Sequence, residues 1–287
     1  YLRQMEHPRL TDRAALERQR ARAEARGLAD FLHRAVADDI QERRESVNRR
    51  FTAPAVVSGF PALWRELLPE ALSVCDTDTL ALESGAHDLI VHALALHWAD
   101  DPVGQLVQCR RALRPDGLLI CATFGGETLA GLRAALAEAE AEITGGLSPR
   151  VVPMGEVRAL GALLQRAGFA LPVADAQPYT VSYANLFHLM VDLRNMGEGN
   201  ALADRHRAVP PRALFPRAAQ IYDHAHRQED GRVSANFDVV TLTGWAPDDS
   251  QPKPLRPGSA THRLAEALGT EEAPLPGPNG GSERPKD

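Results

Sequence analysis

Strand-like and helix-like segments alternate between residues 51 and 244, and this alternation most strongly limits the folds open to the chain. Short apolar runs that indicate strands lie at residues 55–57, 71–75, 87–91, 118–124, 173–183 and 237–245. Apolar residues at helical spacing separate them, among others at residues 61–68, 105–113, 129–143 and 156–167. Strands that alternate with helices favour parallel βαβ units. We therefore predict an α/β fold with one doubly wound, mostly parallel sheet.

The segments on either side of this region differ from it in composition. Residues 1–50 are charged, rich in Ala, Arg and Glu, and carry apolar residues at helical spacing, so we predict an N-terminal helical arm of one or two helices. The α/β domain is expected at residues 51–246, with a helical insertion at about residues 184–230. Residues 247–287 are dominated by Pro, Gly and charge, and this tail is predicted to be mostly disordered because it cannot bury enough apolar surface.

Composition excludes several classes of protein. With 32 Lys and Arg against 38 Asp and Glu, the net charge of −6 disfavours a nucleic-acid partner. No apolar run approaches the ~20 residues that a membrane-spanning helix needs, and no secretory signal is visible at the N-terminus. Cys75, Cys109 and Cys121 are too few and too widely spaced for a disulfide framework or a zinc site. We expect a cytoplasmic protein that holds no metal.

A set of motifs in the second half of the predicted sheet resembles one enzyme superfamily. Residues 87–91 (HDLIV), 94–98 (LALHW) and 113–119 (LRPDGLL) look like the second half of a class I S-adenosylmethionine-dependent methyltransferase. Further motifs lie at residues 124–129 (FGGETL), 145–149 (GGLSP), 164–169 (LQRAGF), 190–200 and 243–245 (TGW). Together they resemble the methyltransferase-like assembly factors of respiratory complex I and, more distantly, the malonyl-carrier-protein methyltransferases of biotin synthesis. The resemblance extends over about residues 11–268.

The resemblance implies a site at the carboxyl ends of the strands, where doubly wound sheets bind ligands. The implied contacts to S-adenosylmethionine are Ser58, Gly59, Asp76, Thr77, Ala93 and Leu96. The implied contacts to the acceptor substrate are Trp98, Phe124, Gly125, Gly126, Met196 and Glu198. His97 and His92 are the candidate general bases. The two glycines could hold an anion at a helix N-terminus or simply form a turn, and Glu198 could receive a basic substrate or be an ordinary loop carboxylate.

The first half of the predicted sheet departs from the superfamily pattern. The loop after the first strand, residues 56–61 (VVSGFP), keeps one glycine of the usual Asp-x-Gly-x-Gly and has lost the acid. Val57 and Asp88 are 31 positions apart, which is room for one strand–helix–strand unit of ~30 residues where the family needs about two. The run at residues 73–80 aligns best with the third strand of the family, which makes Asp76 an adenine contact. In a second alignment, Asp76 is the ribose-binding acid and the third strand is lost.

Three functions are compatible with these residues. The first, which we prefer, is methyl transfer from S-adenosylmethionine to an unknown protein or small-molecule acceptor. The second is a degenerate, non-catalytic methyltransferase fold that binds a respiratory-complex subunit as an assembly factor. The third follows from the association of such assembly factors with arginine hydroxylation, for which Asp223, His224 and His226 offer iron-binding side chains. Histidines two positions apart diverge on a helix, however, which disfavours that iron site.

Overall fold

The computed structural model describes residues 9–251, and within them a six-stranded sheet forms the centre of the molecule. Its strands are β1 (Pro54–Ser58), β2 (Leu72–Cys75), β3 (His87–Ala93), β4 (Leu113–Gly125), β5 (Ala170–Tyr183) and β6 (Val233–Trp245). The helices are α1 (Arg13–Arg26), α2 (Phe31–Ser46), α3 (Pro61–Leu67), α4 (Pro102–Ala112), α5 (Ala130–Thr144), α6 (Val157–Ala167), α7 (Leu186–Asn195) and α8 (Leu214–His226). A 3₁₀ turn, Leu96–Trp98, follows β3.

The strands lie in the order β2-β1-β3-β4-β6-β5, and the predicted mostly parallel, doubly wound sheet is confirmed. β1 pairs in parallel with both β2 and β3, and β3 pairs in parallel with β4. β6 runs antiparallel to β4 and β5, between which it is inserted. The helices α7 and α8 lie within the segment predicted as a helical insertion. Almost all of the predicted tail, from residue 247 onward, lies outside the described residues.

The position of β2 shows where Asp76 lies in the sheet. β2 hydrogen-bonds directly to β1, with Val56 opposite Ser73 and Ser58 opposite Cys75. In the usual order of a doubly wound sheet the second strand lies beside the first, and the third lies outside it. The strand at Leu72–Cys75 therefore occupies the second position, and the described residues contain no strand beyond it. Because one strand–helix unit is missing, β1 is the neighbour of this strand in both alignments, so both stay open, and Asp76 lies where the acid of the second strand normally lies.

The sheet separates two hydrophobic layers, because successive strand residues point to opposite faces. On one face Val56, Leu89 and Ile120 pack in a core that also takes side chains from α2, α5, α7 and α8. On the other face Val57 and Leu119 pack with residues of α4 and α6. The sheet is therefore covered on both sides, as a mostly parallel sheet requires.

The N-terminal arm is two helices, and the second of them belongs to the core. Leu32, Val36 and Ile40 of α2 are each 1% exposed and pack in the same core as Val56. The first helix, α1, begins after Asp12, whose carboxylate accepts a hydrogen bond from the Ala15 N–H as an N-cap. The arm is thus part of the folded domain along most of its length.

We expect the substitution Leu119→Ala to lower the free energy of unfolding by about 2 to 5 kcal/mol, because it removes buried methyl groups at the centre of β4 and leaves a cavity. Leu119 is 0% exposed, whereas Leu147 is 73% exposed. The same change at Leu147 should therefore alter stability by no more than about 0.5 kcal/mol. Urea unfolding of both variants measures the difference, and equal effects would contradict the described core.

Candidate functional site

The carboxyl ends of β1, β2 and β3 bring several of the predicted cofactor residues together. The chain leaves β1 toward β2 on one side and returns to β3 on the other, so the crevice between β1 and β3 is a topological switch point. Ser58 ends β1, Ala93 ends β3, and Asp76 directly follows β2. Ser58 and Ala93 are opposite each other in the parallel ladder. We refer to the space bounded by Ser58, Gly59 and Asp76 as the adenosyl crevice.

Two arginines of α1 hold the carboxylate of Asp76 in this crevice. The Arg20 Nη1 atom lies 2.7 and 3.0 Å from the two carboxylate oxygens, and Arg13 Nη2 donates to Oδ1 at 2.6 Å. The Asp76 side chain is 2% exposed and that of Arg20 is 7% exposed. Burial by itself would raise the pKa of Asp76, but the charges and hydrogen bonds of Arg20 and Arg13 lower it to about 2. Asp76 is therefore ionised and fully paired inside the protein.

The guanidinium of Arg20 also fills the space beside the single glycine of the first loop. A Cβ atom on Gly59 would lie 2.3 Å from the Arg20 Cζ, so only glycine permits this approach. On the other side, Arg20 Cζ lies 5.9 Å from the centre of the Phe60 ring. In the superfamily that the sequence resembles, this is the space for the methionine and ribose of the cofactor. In the described arrangement the residues of the crevice therefore do not fit S-adenosylmethionine.

The acceptor side of the site centres on a buried carboxylate. Glu198 lies three residues past the end of α7, and its Oε2 accepts a hydrogen bond from Trp98 Nε1 at 2.7 Å and contacts His97 Nε2 at 3.1 Å. Its side chain is 11% exposed. Burial raises the pKa of Glu198, but His97 and the hydrogen bonds from His97 and Trp98 lower it to below its usual value. The group is therefore a carboxylate in an apolar surrounding, and not an exposed loop residue.

Glu198 lies at the wall of an apolar cavity of about 210 Å³. Trp98 and Phe124, both predicted as acceptor contacts, line this cavity together with Met154 and Phe215. Arg150 and Arg194 also contribute to its lining. We refer to this space as the acceptor cavity, because three of the predicted acceptor residues lie in its wall.

Several predicted site residues have structural roles instead. His92 is 0% exposed within β3, and its Nε2 is bonded to Gln105 Oε1 at 2.8 Å, so it is not a base that an acceptor can reach. Leu96 packs in the core against α4, and the Thr77 hydroxyl donates to the Thr79 carbonyl oxygen. Met196 is buried beside Glu198 and Phe124.

The glycines after β4 form a turn and hold no anion. The Gly126 N–H donates to the Gly155 carbonyl oxygen at 2.9 Å, and the next N–H, of Glu127, donates to Asp238 at 2.8 Å. A Cβ on Gly125 would lie 2.7 Å from Val240, so this glycine allows close packing of the strands. Of the two alternatives, the turn is therefore the one observed, since these N–H groups are already bonded and the Asp238 carboxylate lies against them.

The proposed iron ligands on α8 do not converge. Asp223 is paired with Arg227 at 2.6 Å, and the His226 ring stacks on Tyr222 with the centroids 4.3 Å apart. Among residues 9–251 no three His, Cys, Asp or Glu side chains are arranged to hold a metal ion.

None of the helices within residues 9–251 is both long and apolar enough to span a membrane.

Sequence reasoning missed the two arginines of α1. Arg20 lies four residues after Leu16, on the face of α1 that is buried together with Ala15 and Ala23. An arginine at a buried helical position was the available signal, because a buried guanidinium needs an acidic partner. The position of that partner, 56 residues away along the chain, has no signature in the helix itself.

Several known proteins are similar to this chain in sequence. A methyltransferase domain family matches residues 43–121. The chain is 36% identical over 223 residues to the mitochondrial arginine-hydroxylase NDUFAF5 of Danio rerio, covering 78% of this chain and 69% of that protein. It is 40% identical to the Dictyostelium discoideum counterpart, covering 66% of this chain and 43% of that longer protein.

More distant similarities extend to an enzyme sequence and to a solved structure. The malonyl-[acyl-carrier protein] O-methyltransferase of Laribacter hongkongensis is 36% identical over 62% of this chain and 58% of its own length. The solved structure of YcgJ from Bacillus subtilis has a TM-score of 0.46 and 11% identity, covering 71% of this chain and 96% of that one. The sequence matches confirm the resemblance to both groups of proteins. The chain spans 43% to 69% of the length of the curated relatives named above.

We expect the stability of the domain to fall as the pH drops from about 6.5 to about 4, because of the buried His33 beside the site. Its Nδ1 accepts a hydrogen bond from Trp64 Nε1 at 3.2 Å, and burial lowers its pKa from 6.5 to about 4. Below pH 6.5 the unfolded chain takes up a proton at this residue and the folded chain does not, so protonation favours unfolding. The shift corresponds to roughly 3 kcal/mol at most.

Urea unfolding of His33→Gln between pH 7 and 4 tests this expectation. The variant should lose part of the pH dependence, whereas His206→Gln, at an exposed histidine, should keep all of it. An unchanged pH profile in His33→Gln would show that another group, such as the buried His92, carries the effect.

Proposed function

This chain belongs to the family of the arginine-hydroxylase NDUFAF5 proteins, and from this premise we propose that it is an S-adenosylmethionine-dependent methyltransferase-family protein that acts on a basic side chain, such as arginine, of an acceptor. The match of residues 43–121 to a methyltransferase domain supports S-adenosylmethionine as the cofactor. Ser58, Gly59 and Asp76 are the residues we propose as its contacts. Arg20 occupies this crevice in the described arrangement.

The observation that carries the proposal is the environment of Glu198. Its Oε2 is bonded to both His97 and Trp98, and Oε1 has no hydrogen bond among the described residues. The lowered pKa keeps the group ionised, although its surroundings are mostly apolar. A guanidinium fits such a place, because its methylene stem can lie along apolar walls while its N–H groups bond to the carboxylate. The relatives named as arginine hydroxylases support arginine as the acceptor.

His97 is the residue that we propose to assist the acceptor. It lies between Glu198 and Thr123, whose hydroxyl oxygen is 3.5 Å from His97 Nδ1, and its side chain is 3% exposed. The ring also packs 4.9 Å from that of Phe124. These contacts fix the ring, and a fixed imidazole beside a carboxylate can hold or release a proton near the acceptor cavity.

A second candidate function is that of a non-catalytic assembly factor. The occupied crevice and the absence, within residues 9–251, of a strand beyond β2 favour it, because both weaken the case for cofactor turnover. The resemblance to assembly factors of respiratory complex I supports a respiratory-complex subunit as the protein partner. The NDUFAF5 relatives are named as mitochondrial proteins, and a cytoplasmic location for this chain stays a prediction.

The test is incubation of the protein with S-adenosylmethionine and synthetic arginine-containing peptides, followed by mass spectrometry. We expect an arginine to gain the mass of CH₂, because a methyl group replaces a hydrogen. Glu198→Gln should lower the yield about tenfold or more, since a charge-assisted hydrogen bond to the acceptor is lost. Glu138→Gln, at an exposed glutamate of α5, should match the unmodified protein.

Other outcomes discriminate between the candidates. A gain of one oxygen atom on arginine would contradict methyl transfer and support a hydroxylase like the named relatives. If no peptide is modified but a respiratory-complex subunit binds and Glu198→Gln weakens that binding, the assembly-factor function is supported. Equal yields in Glu198→Gln and Glu138→Gln would contradict the assigned role of the acceptor cavity.

A further inference from the structure

We propose that Arg13 and Arg20 act as a built-in occupant of the adenosyl crevice, so that S-adenosylmethionine binds only when these two side chains leave Asp76. The inference rests on the cofactor assigned under the proposed function, and adds how access to that cofactor site is controlled. It concerns side chains of α1, a helix outside the part of the chain that the methyltransferase domain family matches.

The Asp76 carboxylate is saturated with hydrogen bonds from the two arginines. Its Oδ1 accepts from Arg13 at 2.6 Å and from Arg20 at 2.7 Å, while its Oδ2 accepts from Arg20 at 3.0 Å and from Arg13 at 3.3 Å. A carboxylate offers about four lone-pair positions in all. No acceptor position is left for the hydroxyl groups of a ribose, so the two guanidiniums and the cofactor compete for one group.

Arg20 also blocks the adenosyl crevice sterically. Arg20 lies against Gly59 so closely that its Cζ, Nε and Nη1 atoms would all be within 2.6 Å of a Cβ there. Gly197 closes the crevice from the opposite side, since a Cβ at this position would lie 2.7 Å from Phe60 and 3.2 Å from the Arg20 side chain. The guanidinium thus fills the space between the first loop and the segment after α7, and leaves no room for a second ligand.

The side chains of Arg13 and Arg20 can leave Asp76 while α1 stays in place. The start of α1 is held by other contacts: the Thr11 N–H donates to Asp100, the Thr11 hydroxyl donates to the Trp98 carbonyl oxygen, and the Asp12 N–H donates to the Ala201 carbonyl oxygen. Arg13 is already 28% exposed.

Arg20 is also incompletely satisfied in the crevice. Its Nε is buried and has no hydrogen-bond partner among residues 9–251. An unpaired buried donor disfavours the arrangement in which Arg20 occupies the crevice, because its Nε would be hydrated if the side chain lay in solvent. The ion pairs with Asp76 favour this arrangement and the unpaired Nε disfavours it, as expected of a side chain that a ligand can displace.

The main experiment measures the affinity for S-adenosylhomocysteine by calorimetry in the full chain. Replacing both arginines (Arg13→Gln with Arg20→Gln) should tighten binding about tenfold or more, because the crevice is vacated and Asp76 is freed. Arg18→Gln is the matched control, since Arg18 is an exposed arginine of the same helix, and its affinity should equal that of the unmodified protein. Asp76→Asn should bind more weakly than the double variant, because it lacks the ribose acceptor.

Equal or weaker binding by the double variant than by the unmodified protein would overturn the occupant proposal and leave the cofactor assignment intact. Absence of binding by every variant, with folding confirmed by circular dichroism, would overturn the cofactor assignment and the occupant proposal together. The two failures are therefore distinguishable.

A second measurement uses the unmodified protein and does not depend on the variants folding. Phenylglyoxal, which modifies accessible guanidinium groups, is applied with and without S-adenosylhomocysteine at a concentration that occupies the site, and the labelled peptides are mapped by mass spectrometry. We expect the ligand to increase labelling of Arg20 and Arg13 and to leave Arg18 unchanged. Labelling of Arg20 that stays the same or falls would overturn the proposal, because the ligand would then bind without displacing it.

Discussion

The buried ion pairs of Asp76 are the interaction on which the arrangement of the site depends. A carboxylate that is 2% exposed must be compensated, because an unpaired buried charge is strongly destabilising. Arg20 and Arg13 supply that compensation from α1, and their ion pairs link this helix to the carboxyl edge of the sheet. The N-terminal helix and the second strand are therefore coupled electrostatically, although they lie far apart in the sequence.

The two halves of the sheet serve this site unequally. On the side of β1 and β2 the sheet is one strand short and its glycine loop is reduced to Gly59. On the side of β4 lies the acceptor cavity, and Glu198 forms its polar end, held in place by its contacts with His97 and Trp98. The described arrangement thus has an open cavity on one side of the sheet and a crevice filled by its own arginine side chains on the other.

The alternating architecture could be predicted from the sequence, because periodicity carries that information. The resemblance named Trp98, Phe124 and Glu198, which line one cavity, and their contact with an acceptor stays a proposal. The sequence did not allow prediction of the place of β2, since 31 residues of spacing cannot tell which neighbour a strand pairs with. The pairing of Arg20 was also out of reach, because it joins residues distant in sequence. Histidine 92 was misassigned because a strand residue next to the motif can point into the core.

The packing of α2 determines where the folded domain begins along the chain. Leu32, Val36 and Ile40 complete the hydrophobic layer over Val56, yet they precede residue 43, where the match to the methyltransferase domain family begins. A fragment that begins at that residue would expose this face of the sheet to water. The folding unit therefore includes α2 together with the strands that it covers.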